Sequence, residues 1–401
     1  MTVTPGVATE PDFTIVTPPR SAFRRKRFLG PFVPAAIIGL VGLIVLWAGG
    51  MVTLPFREVV VVTGRTASKG EFFADAEVKR ILMSEGIQVD FDRAGSREIV
   101  TGAIDDLDFV FPSGQPAALQ LRQRWDATHA PAKVFKPFFS PIVLATYRDY
   151  AEALVGAGVG APQPSTGEPL YFNLPMKPFI DKIRTDTWEK LDPDLRNGNR
   201  VLAQTSDICS SNSAATYLGL VAFVENGNTI PQTEAEAVDL ANRIKPLLTA
   251  QGLPGDDMSR SYLAPDGQGL APIAVIYEHQ YLAHQVRVRA QTGSLDTRRV
   301  LLYPAAQVQA VPEFIALTPA GERVGRLITE DPRLRRRALE LGFRVFESDD
   351  TLTTGQFTTF LNQQGVPVPS SGVGDTETFL PALPLLEKMI TTVGECPPPR
   401  R

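Results

Sequence analysis

The 401-residue chain has little cysteine and little histidine: two of the first and three of the second. Cys209 and Cys396 permit one internal bridge and no more. Neither stands near the end of the long apolar run at 35–54, which excludes lipid attachment there. The histidines are His129, His279 and His284. His279 and His284 are five apart, off the facing positions of a helix, so Glu278, His279 and His284 make a poor metal set. The loop 64–70 lacks the Gly-Lys-Ser/Thr ending of a phosphate-binding loop, and no Gly-x-Ser-x-Gly elbow occurs. No base is identifiable beside Cys209 for nucleophilic catalysis. These gaps argue against an enzyme and imply no cofactor. A basic excess is also missing. The net charge is −4, and the first 34 residues hold five basic and two acidic side chains, leaving the rest at −7. Such acidity argues against nucleic acid as a partner.

What the chain does have is an uncharged apolar run at 35–54, directly behind Arg24, Arg25, Lys26 and Arg27. Twenty helical residues at about 1.5 Å rise span roughly 30 Å, the thickness of a hydrocarbon core. The basic flank keeps the N-terminus cytoplasmic. The expectation is therefore a single-pass cell-membrane protein: a cytoplasmic disordered tail at 1–34, a transmembrane helix at 35–54, and the bulk of the chain extracytoplasmic. The rival reading is a cleaved signal peptide, for which Ala48-Gly49-Gly50 offers a small-residue site. Outside the membrane the compartment is oxidising, so Cys209 and Cys396 are expected to pair.

Beyond the run, 43% hydrophobic and 21% charged residues describe a globular protein, and its length suits two lobes. A β-branched run at 58–63 predicts a strand buried on both faces. A polar loop follows, then a helix with Ala74, Val78, Ile81 and Leu82 on one face, stopped at Gly86. Ile87, Val89 and Phe91 alternate as a second strand, Gly95, Ser96 and Arg97 open another helix, and 108–111 is a third strand. Strand and helix recur at 142–155 and 201–224, 273–277 and 300–303 read as further strands, and 318–341 reads as one helical stretch stopped by Gly342. This is α/β architecture, with ligand sites expected where strand ends lead into helices.

Four stretches, in this order along the chain, carry a family resemblance. They are Val61-Val62-Thr63-Gly64 through Lys69-Gly70-Glu71-Phe72-Phe73, then Gly95-Ser96-Arg97, then Asp207-Ile208-Cys209-Ser210-Ser211-Asn212-Ser213, and finally Thr318-Pro319-Ala320-Gly321 to Gly342-Phe343-Arg344. With them the chain resembles bacterial membrane-anchored extracellular substrate-binding domain proteins of the type 2 periplasmic-binding-protein kind. The resemblance covers 57–346. It implies a two-lobed α/β fold after an N-terminal transmembrane helix, with ligand held between lobes. Lobe I would be 57–136 plus 303–347, lobe II 137–302, and 348–401 an extension packed on the lobes. The sequence departs from phosphate- and sulfate-binding relatives at Ala214, where those often place glycine, which speaks against a simple oxyanion.

Candidate ligand-binding residues follow from position. Arg65, Thr66, Ser68 and Lys69 lie between a buried strand and a helix, where backbone N–H groups, hydroxyls and a cation suit an anionic group. Helix capping and solvated charge explain the same residues. Ser96 and Arg97 repeat the chemistry at the next strand end, and Ser113 stands in a Pro-Ser-Gly turn. Asp207, Ser210, Asn212 and Ser213 are the second lobe's counterpart, with an N-cap and Asx turn as the alternative. Tyr277 and Glu278 end a strand that should face the cleft. The acid opposite three cations suggests an anionic or zwitterionic ligand, or an ion pair between lobes. The expected partners are a small-molecule solute, the lipid bilayer through 35–54, and a membrane permease or other membrane protein, for transport or sensing. The alternative is a scaffold that kept the fold and lost its ligand.

Overall fold

The computed structural model describes residues 26–48, 59–250, 252–253, 258–305, 309–346, 355–370 and 380–396, and within the first helix the side chains of 32–46. The expected tail at 1–20, the end of the apolar run at 49–54 and the closing prolines 397–399 lie outside these residues. The chain divides into two units, 1–57 and 58–401.

The first unit contains one helix, Lys26–Ala48, which takes in Pro31 and Pro34 and exposes Ile37, Ile38, Leu40 and Ile44. Among the described residues no helix is long and apolar enough to cross a membrane. The expected span at 35–54 therefore rests on the sequence alone.

The second unit carries the strands β1 (Val60–Thr66), β2 (Ile87–Arg93), β3 (Phe109–Phe111), β4 (Lys133–Phe135), β5 (Phe138–Tyr147), β6 (Ala161–Pro162), β7 (Tyr171–Leu174), β8 (Ala203–Gln204), β9 (Ile273–Tyr277), β10 (Arg299–Pro304), β11 (Gln309–Ala310), β12 (Phe314–Ala316) and β13 (Arg344–Val345). They form two sheets. The first has the order β2-β1-β3-β12-β4, and the second has the path β6-β7-β10-β5-β9-β8. In the first sheet β1 is parallel to β2 and β3, while β12 returns antiparallel between β3 and β4. Strand β5 joins the lobes. Its first four residues pair with β11 and β13, and the remainder lies between β9 and β10. All ten of its residues are buried, as an apolar central strand requires.

The first lobe's core is aromatic. Phe73 contacts the rings of Phe72, Phe91, Phe109, Phe111 and Phe314, and Phe109 stacks on Phe314 at 4.6 Å. Asp75 caps the helix Ala76–Ser84 by accepting from the Glu77 and Val78 N–H groups, and Gly86 follows with φ of 74°. The stretch expected as one helix at 318–341 is two, Pro319–Glu330 and Pro332–Glu340. Pro332 supplies no N–H and keeps Asp331 out of the helical region, so Asp331 becomes the cap of the second helix. Of the strand expected at 201–205, only Ala203 and Gln204 pair, with β9.

The C-terminal part contributes the helices Gly355–Gln364 and Leu383–Gly394. The second buries Leu386, Met389, Ile390 and Val393 and packs on the helix Glu234–Thr249. Cys396, just beyond it, forms a disulfide with Cys209, with Cα atoms 5.4 Å apart. The expected pairing is present.

Candidate functional site

The loops after β1, β2 and β3 in the first lobe meet the segment 206–213 and the end of β9 in the second. Between them is a cleft of about 670 Å³. Of the thirteen expected ligand residues, Ser68, Ser96, Ser113, Ser210, Asn212, Ser213 and Tyr277 line it.

These side chains hold one another in place. Ser68 and Ser113 share a hydrogen bond of 2.6 Å, and the Ser113 N–H donates to the Ser96 hydroxyl at 3.0 Å. Across the cleft Ser206 donates to Ser211 at 2.9 Å, and Ser211 and Ser213 are 2.9 Å apart. Ser211 caps the helix Asn212–Glu225, whose first residue donates from Nδ2 to the Tyr277 hydroxyl at 3.4 Å. Two glycines bring the walls together. A Cβ on Gly95 would lie 2.5 Å from the Ser210 carbonyl oxygen, and one on Gly114 would lie 2.3 Å from the Asn212 amide. At Gly95 a side chain would meet rigid backbone and push the walls apart, whereas at Gly114 it would displace the Asn212 side chain.

Six expected residues do not line the cleft. Arg65 donates to the Ala103 carbonyl at 3.1 Å instead. Thr66 is fully buried beneath the loop. Lys69 is fully buried as well, its ammonium 3.2 Å from the centre of the Tyr277 ring. Such a contact stabilises a cation withdrawn from water. Arg97 crosses between the lobes, donating to the Cys209 carbonyl at 3.0 Å and pairing with Glu387. Asp207 shapes its own loop as an Asx turn, accepting from the Cys209 N–H at 2.9 Å. Glu278 corrects the expectation of an acid facing the cleft. It is fully buried, accepts two 2.7 Å hydrogen bonds from Arg344, and accepts a third from Tyr303 at 2.6 Å.

The residues imagined as a metal set are each engaged elsewhere: Glu278 with Arg344, His279 with Glu71, and His284 with Asp296. Among the described residues no group of three or more His, Cys, Asp or Glu side chains is placed to hold a metal ion.

Sequence reasoning missed Glu71, Arg93, Glu98, Ser206, Ser211, Ser259 and Arg260, which complete the polar lining. Arg93 ends β2, so the strand-end rule that selected Ser96 also covers it. Arg260 lies in the short helix Met258–Leu263, which follows no strand, and nothing local marks it. His279 stacks on Phe343 at 3.9 Å and hydrogen-bonds the Glu71 carboxylate. Burial and the nearby Lys69 charge push the His279 pKa down to about 4, against the pull of Glu71. Burial alone would raise Glu71, but His279, Lys69 and Arg93 together hold it below the usual carboxylate range. The pair is therefore a neutral imidazole donating to a carboxylate.

The returning β12, inserted antiparallel into a parallel β2-β1-β3 sheet, and the cleft at the carboxyl ends of the strands define the architecture. The fold is that of the type 2 periplasmic binding proteins. Solved structures with a similar chain path include iron-bound HitA from Pseudomonas aeruginosa, at 13% identity and a TM-score of 0.49, over 84% of this chain and 99% of that one. Another is the sulfate-binding protein SubI from Mycobacterium tuberculosis H37Rv, at 14% identity and a TM-score of 0.43, over 78% and 93%. No family model and no curated protein matches the sequence.

Proposed function

We propose that the chain is a membrane-anchored, extracytoplasmic solute-binding protein. It holds a small polar molecule between its lobes and presents the closed state to a membrane partner, for transport or sensing. One observation carries this reading. Strand-end loops from both lobes build a single polar cleft, whose volume of about 670 Å³ falls in the ~300–1,000 Å³ range of small-molecule sites. The cleft suits binding rather than bond cleavage. Ser68, Ser96, Ser113, Ser206, Ser211 and Ser213 hydrogen-bond to one another or to backbone, not to a base. The anchor at 35–54 and its orientation rest on the basic flank and the uncharged run. The Cys209–Cys396 disulfide fits an oxidising compartment.

A second reading has its own observation. The lobes are tied directly to each other by Arg97, which pairs with Glu387 and donates to the Cys209 carbonyl. A scaffold that kept the fold and lost its solute would look the same. Thermal unfolding of the full-length chain against a broad panel of metabolites separates the two. A raised midpoint with one compound class supports solute binding. Silence across the panel supports the scaffold.

A further inference from the structure

The ionic groups around the cleft are not equally committed. Glu71 accepts from His279, and Glu98 accepts from the Gly95 N–H at its own helix start. Arg65, Lys69 and Arg97 are turned to carbonyls, an aromatic ring and Glu387. That leaves Arg93 from the first lobe and Arg260 from the second. Both are exposed and line the cleft, and among the described residues neither has a hydrogen bond or ion pair. The charge of Arg93 reaches Glu71 only through space.

The rest of the lining is neutral and rich in hydroxyls, with eight serines, Asn212 and Tyr277. Each hydroxyl both donates and accepts, which matches another set of hydroxyls. The volume bears on ligand size. Water's share of the liquid is ~30 Å³. A bare inorganic anion, a few times larger, would leave most of a 670 Å³ cleft to solvent.

Resting on the solute-binding reading, we propose that Arg93 and Arg260 are a two-lobe clamp for the anionic end of a polyhydroxylated solute, such as a sugar phosphate or a sugar acid. The neutral body of the solute lies among the serines. Guanidinium groups suit both ends of this class, because they bind phosphate or carboxylate oxygens in pairs. Since one arginine comes from each lobe, the anion also ties the lobes shut.

The test is calorimetric titration of the full-length chain with glucose 6-phosphate, fructose 6-phosphate and gluconate. Glucose, glucosamine and inorganic phosphate serve as comparisons. Binding of at least one anionic sugar, and not of its neutral parent or of phosphate alone, is expected. Arg93→Gln and Arg260→Gln should each weaken it roughly ten- to hundredfold, and Arg93→Lys less. Arg336→Gln, a change at an exposed helical arginine, should leave it unaltered. Equal binding of glucose or glucosamine, or anionic-sugar binding indifferent to both arginine changes, overturns the clamp but keeps the solute-binding reading. No binding of any of the three anionic sugars also overturns it. The metabolite panel then decides separately whether another solute class binds.

Discussion

At the scale of single residues, burial explains why Lys69 and Glu278, expected in the cleft for their charge, do not line it. Glu278, Arg344 and Lys69 are charged, yet each is buried and partnered inside the protein. A buried charge survives only with compensation, and Glu278 and Arg344 supply it to each other through two hydrogen bonds. His279 shows the other solution, which is to stay neutral. Its pKa falls to about 4 in the folded state, against about 6.5 unfolded. Above pH 6.5 both states hold it neutral and it contributes no pH dependence. As pH falls from 6.5 toward 4 only the unfolded chain takes the proton, so stability is lost across that window. Glu71, held below 4.5 when folded, loses its own contribution as pH falls further. The His279 loss should reach about 2 kcal/mol at pH 5. Denaturant midpoints at pH 7 and pH 5 should differ more in the natural protein than in His279→Gln. An equal drop in both would assign the acid sensitivity to other groups.

At the scale of elements, the helix Leu383–Gly394 is the part with the most consequence for the cleft. Its apolar face packs on Glu234–Thr249, and Lys388 pairs with Glu234 at 2.6 Å. Its disulfide reaches into the loop 206–213, and its Glu387 meets Arg97 of the opposite lobe. The helix is fixed to one lobe and carries a charge that holds the other. The pair is about a quarter exposed, so removing it should shift the open-to-closed ratio by about 1 kcal/mol, roughly fivefold. Small-angle scattering should show a larger radius of gyration for Glu387→Gln, and again for Cys396→Ser. Unchanged radii in both variants would mean that the helix only covers the second lobe. The resemblance implied only that this stretch packs on the lobes. Its partner is 290 positions away in the chain, a separation that no local pattern reports.

At the scale of the whole molecule, the proposed anchor at 35–54 and its basic flank carry a topology that can be tested. A reporter fused after Arg401 should be active outside the cytoplasm, and the intact chain should fractionate with membranes. A soluble mature form starting near Met51 would replace the anchor with a cleaved signal. An intracellular reporter would remove the extracytoplasmic reading and leave the disulfide without a suitable compartment.

The sequence by itself determined the alternation of strand, polar loop and helix, because apolar and β-branched runs are visible locally. The expected burial of the first strand on both faces did not follow: Val62 is buried, but Val60 and Val61 are exposed. The sequence also determined that the cleft would be built from strand-end loops, since seven of the residues chosen on that basis line it. Only the tertiary structure decided which side chains turn inward. Arg65, Lys69 and Arg97 looked like the ligand's cations, but each found a partner brought close by folding. Arg260 is adjacent to no strand and reaches the cleft only because the second lobe folds over the first. Hydrophobic periodicity is written in neighbouring residues. The pairing of charges depends on which distant segments meet, and that is settled when the two lobes pack.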